Sequence, residues 1–397
     1  MRVTNDTLRQ VFLNALELAQ RRVEETQTQV STGLRIQQPS DDPVSAARIR
    51  ELEASVSRLD QYQANGIIAQ NRLALSEEVL TSVMDNLQRV RELAVQANNA
   101  TQGAESHRAI SLELKQRLES LISLANSTDS SGRYLFSGFS EDTRPFVQNG
   151  TSVAYNGDQG QRMLQVSDSR FIAVTDSGSE VFQRIPNGNG TFALGVGAAN
   201  TGTGVLGEGS VTDPTAYVPD TYTVTFLTPT DYEVRDSGGG LVVAATYSEG
   251  DSISFLGMEI ELDGEPAAGD TFISAPSSSQ DLFTTVQNMI DALDIGGDTG
   301  AARAILNSEI GQSLENLDQA IGRIIDVRSE TGARLQSLDQ EAALNEGFGV
   351  QLVEALSELR DLDYAEAISN LSQQLLGLEA AQQTFARVQG LSLFRFL

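Results

Sequence analysis

Leu52, Leu59, Gly66, Leu73, Leu80, Leu87 and Ala94 fall seven residues apart, and Ile49, Val56, Val83 and Val90 lie three or four residues from members of that series. Apolar residues recurring every three or four positions line one face of a helix, so the run is a heptad seam. Sustained from about residue 44 to 98, it predicts a rod of roughly 80 Å at 1.5 Å per residue, far longer than an average globular helix. One such helix cannot bury its own stripe. Ser40-Asp41-Asp42-Pro43 just ahead of it supplies small capping side chains and a first-turn Pro, which read as a helix start.

A matching seam follows in Leu314, Leu317, Ile321, Ile324, Leu335 and Leu338, with Arg328 and Thr331 between, and a third in Ile368, Leu371, Leu375, Leu378 and Phe385. The simplest way to bury all three packs the N-terminal helices against the C-terminal ones. Composition agrees. Residues 1 to about 135, and again from about 278 onward, are rich in Leu, Ala, Gln and Glu, whereas 145 to 275 turn to Gly, Thr, Val, Asp and Tyr. Strands are expected at 221–227, 232–235, 241–247, 253–255, 258–262 and 271–274. The fold class is mainly α, with a β-rich insertion looped out of a helical rod.

The ends of the chain carry the seams outward. Leu391, Leu393, Phe394 and Phe396 make the last residues apolar, and Val11, Phe12, Leu16 and Leu18 give the other end a similar face. Termini normally fray into water. An apolar terminus is either docked on its own domain or waiting for another subunit, and the second is expected here because both ends share such a face.

Charge and rare residues exclude several functions. The net charge of −27 repels nucleic acid, and residues 150–275 alone hold 17 acidic against 4 basic side chains. No Cys and a single His remove disulfides, thiolate sites and Ser-His-Asp chemistry. No run approaches the roughly 20 apolar residues of a membrane span, and the first residues lack the apolar core of a cleaved signal peptide.

Gly202-Thr203-Gly204-Val205-Leu206-Gly207 matches a dinucleotide fingerprint, but Gly before it and Pro214 and Pro219 after it argue for a turn-rich loop. Asp361 and Asp363 do not sit in a calcium loop. His107 is expected to be a solvated surface residue. No nucleophile and base stand out, so neither an enzyme nor any cofactor or metal is expected.

Gln29-Val30-Ser31-Thr32-Gly33-Leu34-Arg35-Ile36, followed by Pro39-Ser40-Asp41-Asp42-Pro43, resembles the N-terminal signature of bacterial flagellins and hook-associated proteins. Asn126-Ser127-Thr128, Ser131 to Gly138 and Arg144-Pro145-Phe146 look like the hook-filament junction branch of that family. So do Asp363 to Ile368, Gln382 to Phe385 and Leu391-Ser392-Leu393-Phe394, while residues 222–274 look like a small β module of hook-associated proteins.

The resemblance implies a flagellin-like fold in three parts. Residues 1–43 with 352–397 would form a terminal, discontinuous coiled-coil inner domain, 44–145 with 276–351 a helical rod, and 146–275 a β-rich outer insertion. It implies a structural protein of the extracellular flagellum, stacked with its own copies in a tubular ring. The other hook-associated junction protein would lie on the hook side and flagellin on the filament side. It further implies export through the flagellar channel without a cleaved signal, a cytoplasmic chaperone on the C-terminal helix, and no contact with nucleic acid or insertion into membrane. Two rivals stand beside it: a filament flagellin, and a surface adhesin with a helical stalk and a β head displaying Tyr217, Tyr222, Tyr232 and Tyr247.

Overall fold

The computed structural model describes the backbone of residues 5–99, 102–295 and 299–393, with most of their side chains. The helices are α1 (Asn5–Thr32), α2 (Pro43–Ala97), α3 (Ala104–Ala125), α4 (Leu282–Ile295), α5 (Gly300–Arg360) and α6 (Tyr364–Leu393). The long seam helix expected from about residue 44 is α2. Its start is fixed by Asp42, whose carboxylate accepts from the N–H groups of Val44 and Ser45 at 3.1 Å and the Ser45 hydroxyl at 2.5 Å. Asp41 does a different job, closing the preceding turn by accepting from the N–H groups of Gln37 and Gln38.

The chain divides into two compact units, Met1–Ala64 with Glu341–Leu397 and Asn65–Gln340. In the second, Leu80, Val83, Leu87 and Val90 of α2 share one apolar core with Leu114, Leu118 and Leu121 of α3, Met289 and Ile290 of α4, and Leu317 and Ile324 of α5. The two long seams therefore bury each other, as their period requires. Ion pairs flank the contact: Arg91 Nε lies 2.8 Å from Asp318 and Arg328 Nη2 lies 2.7 Å from Glu77. Thr331 is wholly buried, yet its hydroxyl is satisfied by Val327 O one turn back.

After α3 the chain makes no long element until residue 146, and packing holds it instead. Phe182 meets Phe136 and Phe146 edge-on, with centroids 5.2 and 5.4 Å apart, the geometry ring quadrupoles favour. Hairpins β1 (Phe146–Asn149) with β2 (Ser152–Tyr155), and β3 (Met163–Gln165) with β4 (Phe171–Ala173), follow, then a π-helical turn at Ser179–Gln183.

The insertion adds β5 (Ile185–Pro186), β6 (Phe192–Val196), β7 (Val205–Val211), β8 (Tyr222–Phe226), β9 (Asp231–Arg235), β10 (Leu241–Thr246), β11 (Ile253–Phe255), β12 (Met258–Asp263), β13 (Thr271–Pro276) and β14 (Ser279–Gln280). Antiparallel pairing gives a five-stranded sheet, β10-β9-β8-β13-β6, a three-stranded one, β11-β12-β7, and the short pair β14-β5. Both larger sheets feed one apolar core of Tyr222, Val224, Phe226, Ile260, Leu262 and Phe272, because alternate side chains of a strand face the same side. The Leu206 N–H donates to Ser308 Oγ at 2.9 Å and the Gly188 N–H to Asn316 Oδ1 at 2.6 Å, tying the insertion to α5.

Every strand expected from residue 221 onward is present, with ends shifted by no more than about two residues. The strands before it carry no such signal in the sequence, since most are two to five residues long and lack a period that can be read. The tyrosines offered as a binding face are mostly core: Tyr222, Tyr232 and Tyr247 are buried, and the Tyr222 hydroxyl donates to Val218 O.

Candidate assembly interface

The first unit is built on a clamp between two short sequence motifs. Gly33, in Ser31-Thr32-Gly33-Leu34-Arg35-Ile36, adopts a φ of 72° at the end of α1, a conformation that suits glycine. The chain then pairs with the segment linking α5 to α6. Leu34 bridges Asp361, the Arg35 N–H donates to Arg360 O at 2.7 Å, and the Leu362 N–H donates to Gly33 O at 2.9 Å. Arg35 Nη2 adds a bond to Leu359 O at 2.7 Å. Beneath it, Ile36, Ala46, Ile49, Leu52 and Leu356 form a small apolar core.

Asp361 also accepts from the Ser357 hydroxyl and Arg360 Nε, and these bonds hold its carboxyl below the usual carboxylate range. Asp363 caps α6 by accepting from the N–H groups of Ala365 and Glu366. Both aspartates set chain geometry.

From this clamp α1 and α6 pack on each other, with the Thr26 hydroxyl donating to Gln374 Oε1 at 3.0 Å. The contact is thin. Among the described side chains, only Val23 and Thr26 of α1 and Ala367 of α6 are buried. Val11 is 61% exposed, Leu18 48%, Ile368 52% and Leu375 48%, while Phe12, Leu16, Leu371, Leu378 and Phe385 are half-buried. The side chains of Leu391 and Leu393, and Phe394 and Phe396 altogether, lie outside the described residues.

The structure adds apolar surface that sequence reasoning left out. Leu13 of α1, Leu376 of α6 and Leu344, Phe348, Val350 and Val353 of α5 are all exposed. Leu344 and Phe348 stand four residues apart on α5, spacing that would ordinarily mark a buried stripe. Large exposed apolar patches on soluble proteins are commonly contact surfaces.

The other flagged residues fall elsewhere. His107 is half-buried, not solvated, and its Nε2 lies 3.1 Å from Ala97 O, bridging α2 to α3. In the Gly202 loop, the N–H groups of Thr201 and Gly202 donate to the Asp270 carboxylate, and strand β7 follows where a nucleotide site needs a helix. Among the described residues no cluster of three or more His, Cys, Asp or Glu could hold a metal ion, and no helix is long and apolar enough to cross a membrane.

Residues 3–141 match the family model described as the bacterial flagellin N-terminal helical region. The chain is 23% identical over 368 residues to flagellar hook-associated protein 3 of Escherichia coli K12, covering 92% of this chain and 90% of that protein. Among solved structures, FlgL of Xanthomonas campestris superposes with a TM-score of 0.73 at 37% identity, over 77% of this chain and 99% of the other. Flagellar hook-associated protein 3 of Legionella pneumophila gives a TM-score of 0.76 at 35% identity, over 78% of this chain and 98% of the other.

Proposed function

The chain belongs to the flagellar hook-associated protein 3 family and is a structural component of the bacterial flagellum, at the junction of hook and filament; on that premise we propose that its terminal helices are the surfaces by which it joins its neighbours. The observation that carries this reading is the apolar exposure of α1 and α6 beside seams that are buried elsewhere in the chain.

Each such side chain contributes roughly 1.5–3 kcal/mol on full burial, before ordering costs. A helix whose apolar face lacks a partner is marginal in water. Neighbouring subunits therefore complete the fold of α1 and α6, and joining is cooperative. The contact comprises Val11, Phe12, Leu16 and Leu18 at one end and Ile368, Leu371, Leu375, Leu378, Phe385, Leu391, Leu393, Phe394 and Phe396 at the other.

In this reading copies of the chain stack in a tubular ring between the other hook-associated junction protein and flagellin. Residues 1–43 with 352–397 face inward, 44–145 with 276–351 form the rod, and 146–275 face outward; the separate apolar core of residues 192–272 supports this for the larger part of the insertion. The chain leaves the cell through the flagellar channel, after a cytoplasmic chaperone has covered the apolar face of α6.

Deleting the gene in the encoding bacterium tests the reading. Bare hooks by electron microscopy, with flagellin free in the medium, are expected. Filaments of normal length and number on the deleted strain would overturn it.

A further inference from the structure

Lys115 is the sole lysine of the chain, and it stands in a recess of about 640 Å³ between α3, the end of α4 and the start of α5. Among the described residues, Arg108, Lys115 and Arg303 line this recess against one carboxylate, Asp294. Asp294 is already engaged, lying 2.8 Å from Lys115 Nζ and accepting from the Ser111 hydroxyl at 2.7 Å. Arg108 and Arg303 are exposed and form no ion pair among the described residues. In a chain of net charge −27, three converging cations are a local reversal of sign.

The recess also has an apolar lip, for Leu112 is 60% exposed and Ile295 76%. Arg108, Leu112 and Lys115 follow at i, i+4 and i+7 on α3, so cation, leucine and cation share one face, the two charges roughly 10 Å apart. A partner for this face needs a row of carboxylates.

The chain itself carries such a row. On β12, Met258, Ile260 and Leu262 point into the insertion core, leaving Glu259, Glu261 and Asp263 on the outer face, roughly 7 Å between neighbours. Glu261 and Asp263 are exposed, and among the described residues none of the three pairs with a cation.

We propose that the recess receives the carboxylate face of β12 from a second copy of this chain, an ionic contact between like subunits separate from the apolar one on α1 and α6. It rests on the junction reading, which supplies the neighbouring copy. Charge complementarity decides the occupant: two copies with this net charge repel at most mutual orientations and attract where this recess meets that strand.

Isolated flagella treated with a water-soluble carbodiimide test the contact, since between two copies of this chain a side-chain amide can form only at Lys115. The expected product is a covalent dimer whose linked peptides join Lys115 to residues 258–263. Flagella that contain the chain but link Lys115 only to Asp294 of its own copy would overturn the contact and leave the junction reading standing. Flagella lacking the chain would overturn both. A charge swap gives a second readout: Arg108→Glu with Arg303→Glu should release flagellin into the medium at least tenfold above wild type, and adding Glu261→Arg with Asp263→Arg should reverse the loss. Release that persists in the fourfold variant, with that variant folded, would also overturn it.

Discussion

The hydroxyl of Tyr364 lies 2.7 Å from the point at which Gly33 would carry a Cβ, and Gly33 holds a φ of 72°. The first residue of α6 therefore closes over the turn that ends α1, and two motifs more than three hundred residues apart in sequence are one structural joint.

Gly33→Ala meets both obstacles. A left-handed residue with a Cβ costs roughly 1–2 kcal/mol, and the tyrosine must move besides. We expect that much loss of stability in the terminal unit, read by hydrogen exchange of α1 and α6, with residues 65–340 unchanged. Equal protection in variant and parent would refute the joint.

Leu375→Asp separates folding from assembly. Leu375 is about half exposed in the single chain, so the substitution should alter stability by no more than about 0.5 kcal/mol. Incorporation should nonetheless fail, because a carboxylate would be buried without a partner in the subunit contact. The checks are circular dichroism of the purified variant and a blot of sheared flagella; normal incorporation would remove this position from the interface.

Glu141 is a buried ionic hub. Its carboxylate lies 2.7 Å from Arg72, 3.0 Å from Arg162 and 3.4 Å from Arg133, and it is 9% exposed. Glu141→Gln leaves Arg72 a buried cation without its main counter-charge, a loss of about 3–5 kcal/mol. Urea unfolding should show it, with the midpoint falling steeply; a midpoint within error of the parent would contradict it.

Glu315 sets a pH dependence. Burial first, then the charges of Glu208 and Asp318, push its carboxyl up to about 7. The folded chain thus binds a proton more tightly than the unfolded one, whose glutamates titrate at about 4.3. Stability from this group is fully present below that lower value and is lost as pH rises through 7. Glu315→Gln should raise the melting temperature at pH 8 and flatten its change between pH 5 and 8, measured by calorimetry. An unaltered slope would exclude Glu315 as the source.

Much of the helical architecture was legible because its cause is periodic. Seven-residue spacing from Leu52 to Ala94 requires an apolar stripe whatever surrounds it, and Leu73, Leu80 and Leu87 are buried as that spacing demands. Residues 253–263 read equally well, since the alternation of β11 and β12 is local and Leu256-Gly257 provides the positive-φ turn between them. His107 misled: a lone histidine near a helix start reads as solvated, and its bond to Ala97 O depends on how α3 folds back on α2.

The sequence by itself determined the long helices, the acidic β insertion and the apolar character of both ends, because each follows from spacing or composition within a short window. Tertiary structure alone decided which apolar residues stay exposed. Leu317 and Leu375 belong to seams of the same kind, yet Leu317 is wholly buried and Leu375 about half exposed. The difference lies in what packs against each helix. That depends on contacts between distant parts of the chain, which no local pattern encodes, and the same is true of the joint between Gly33 and Tyr364 and of the cations gathered around Lys115.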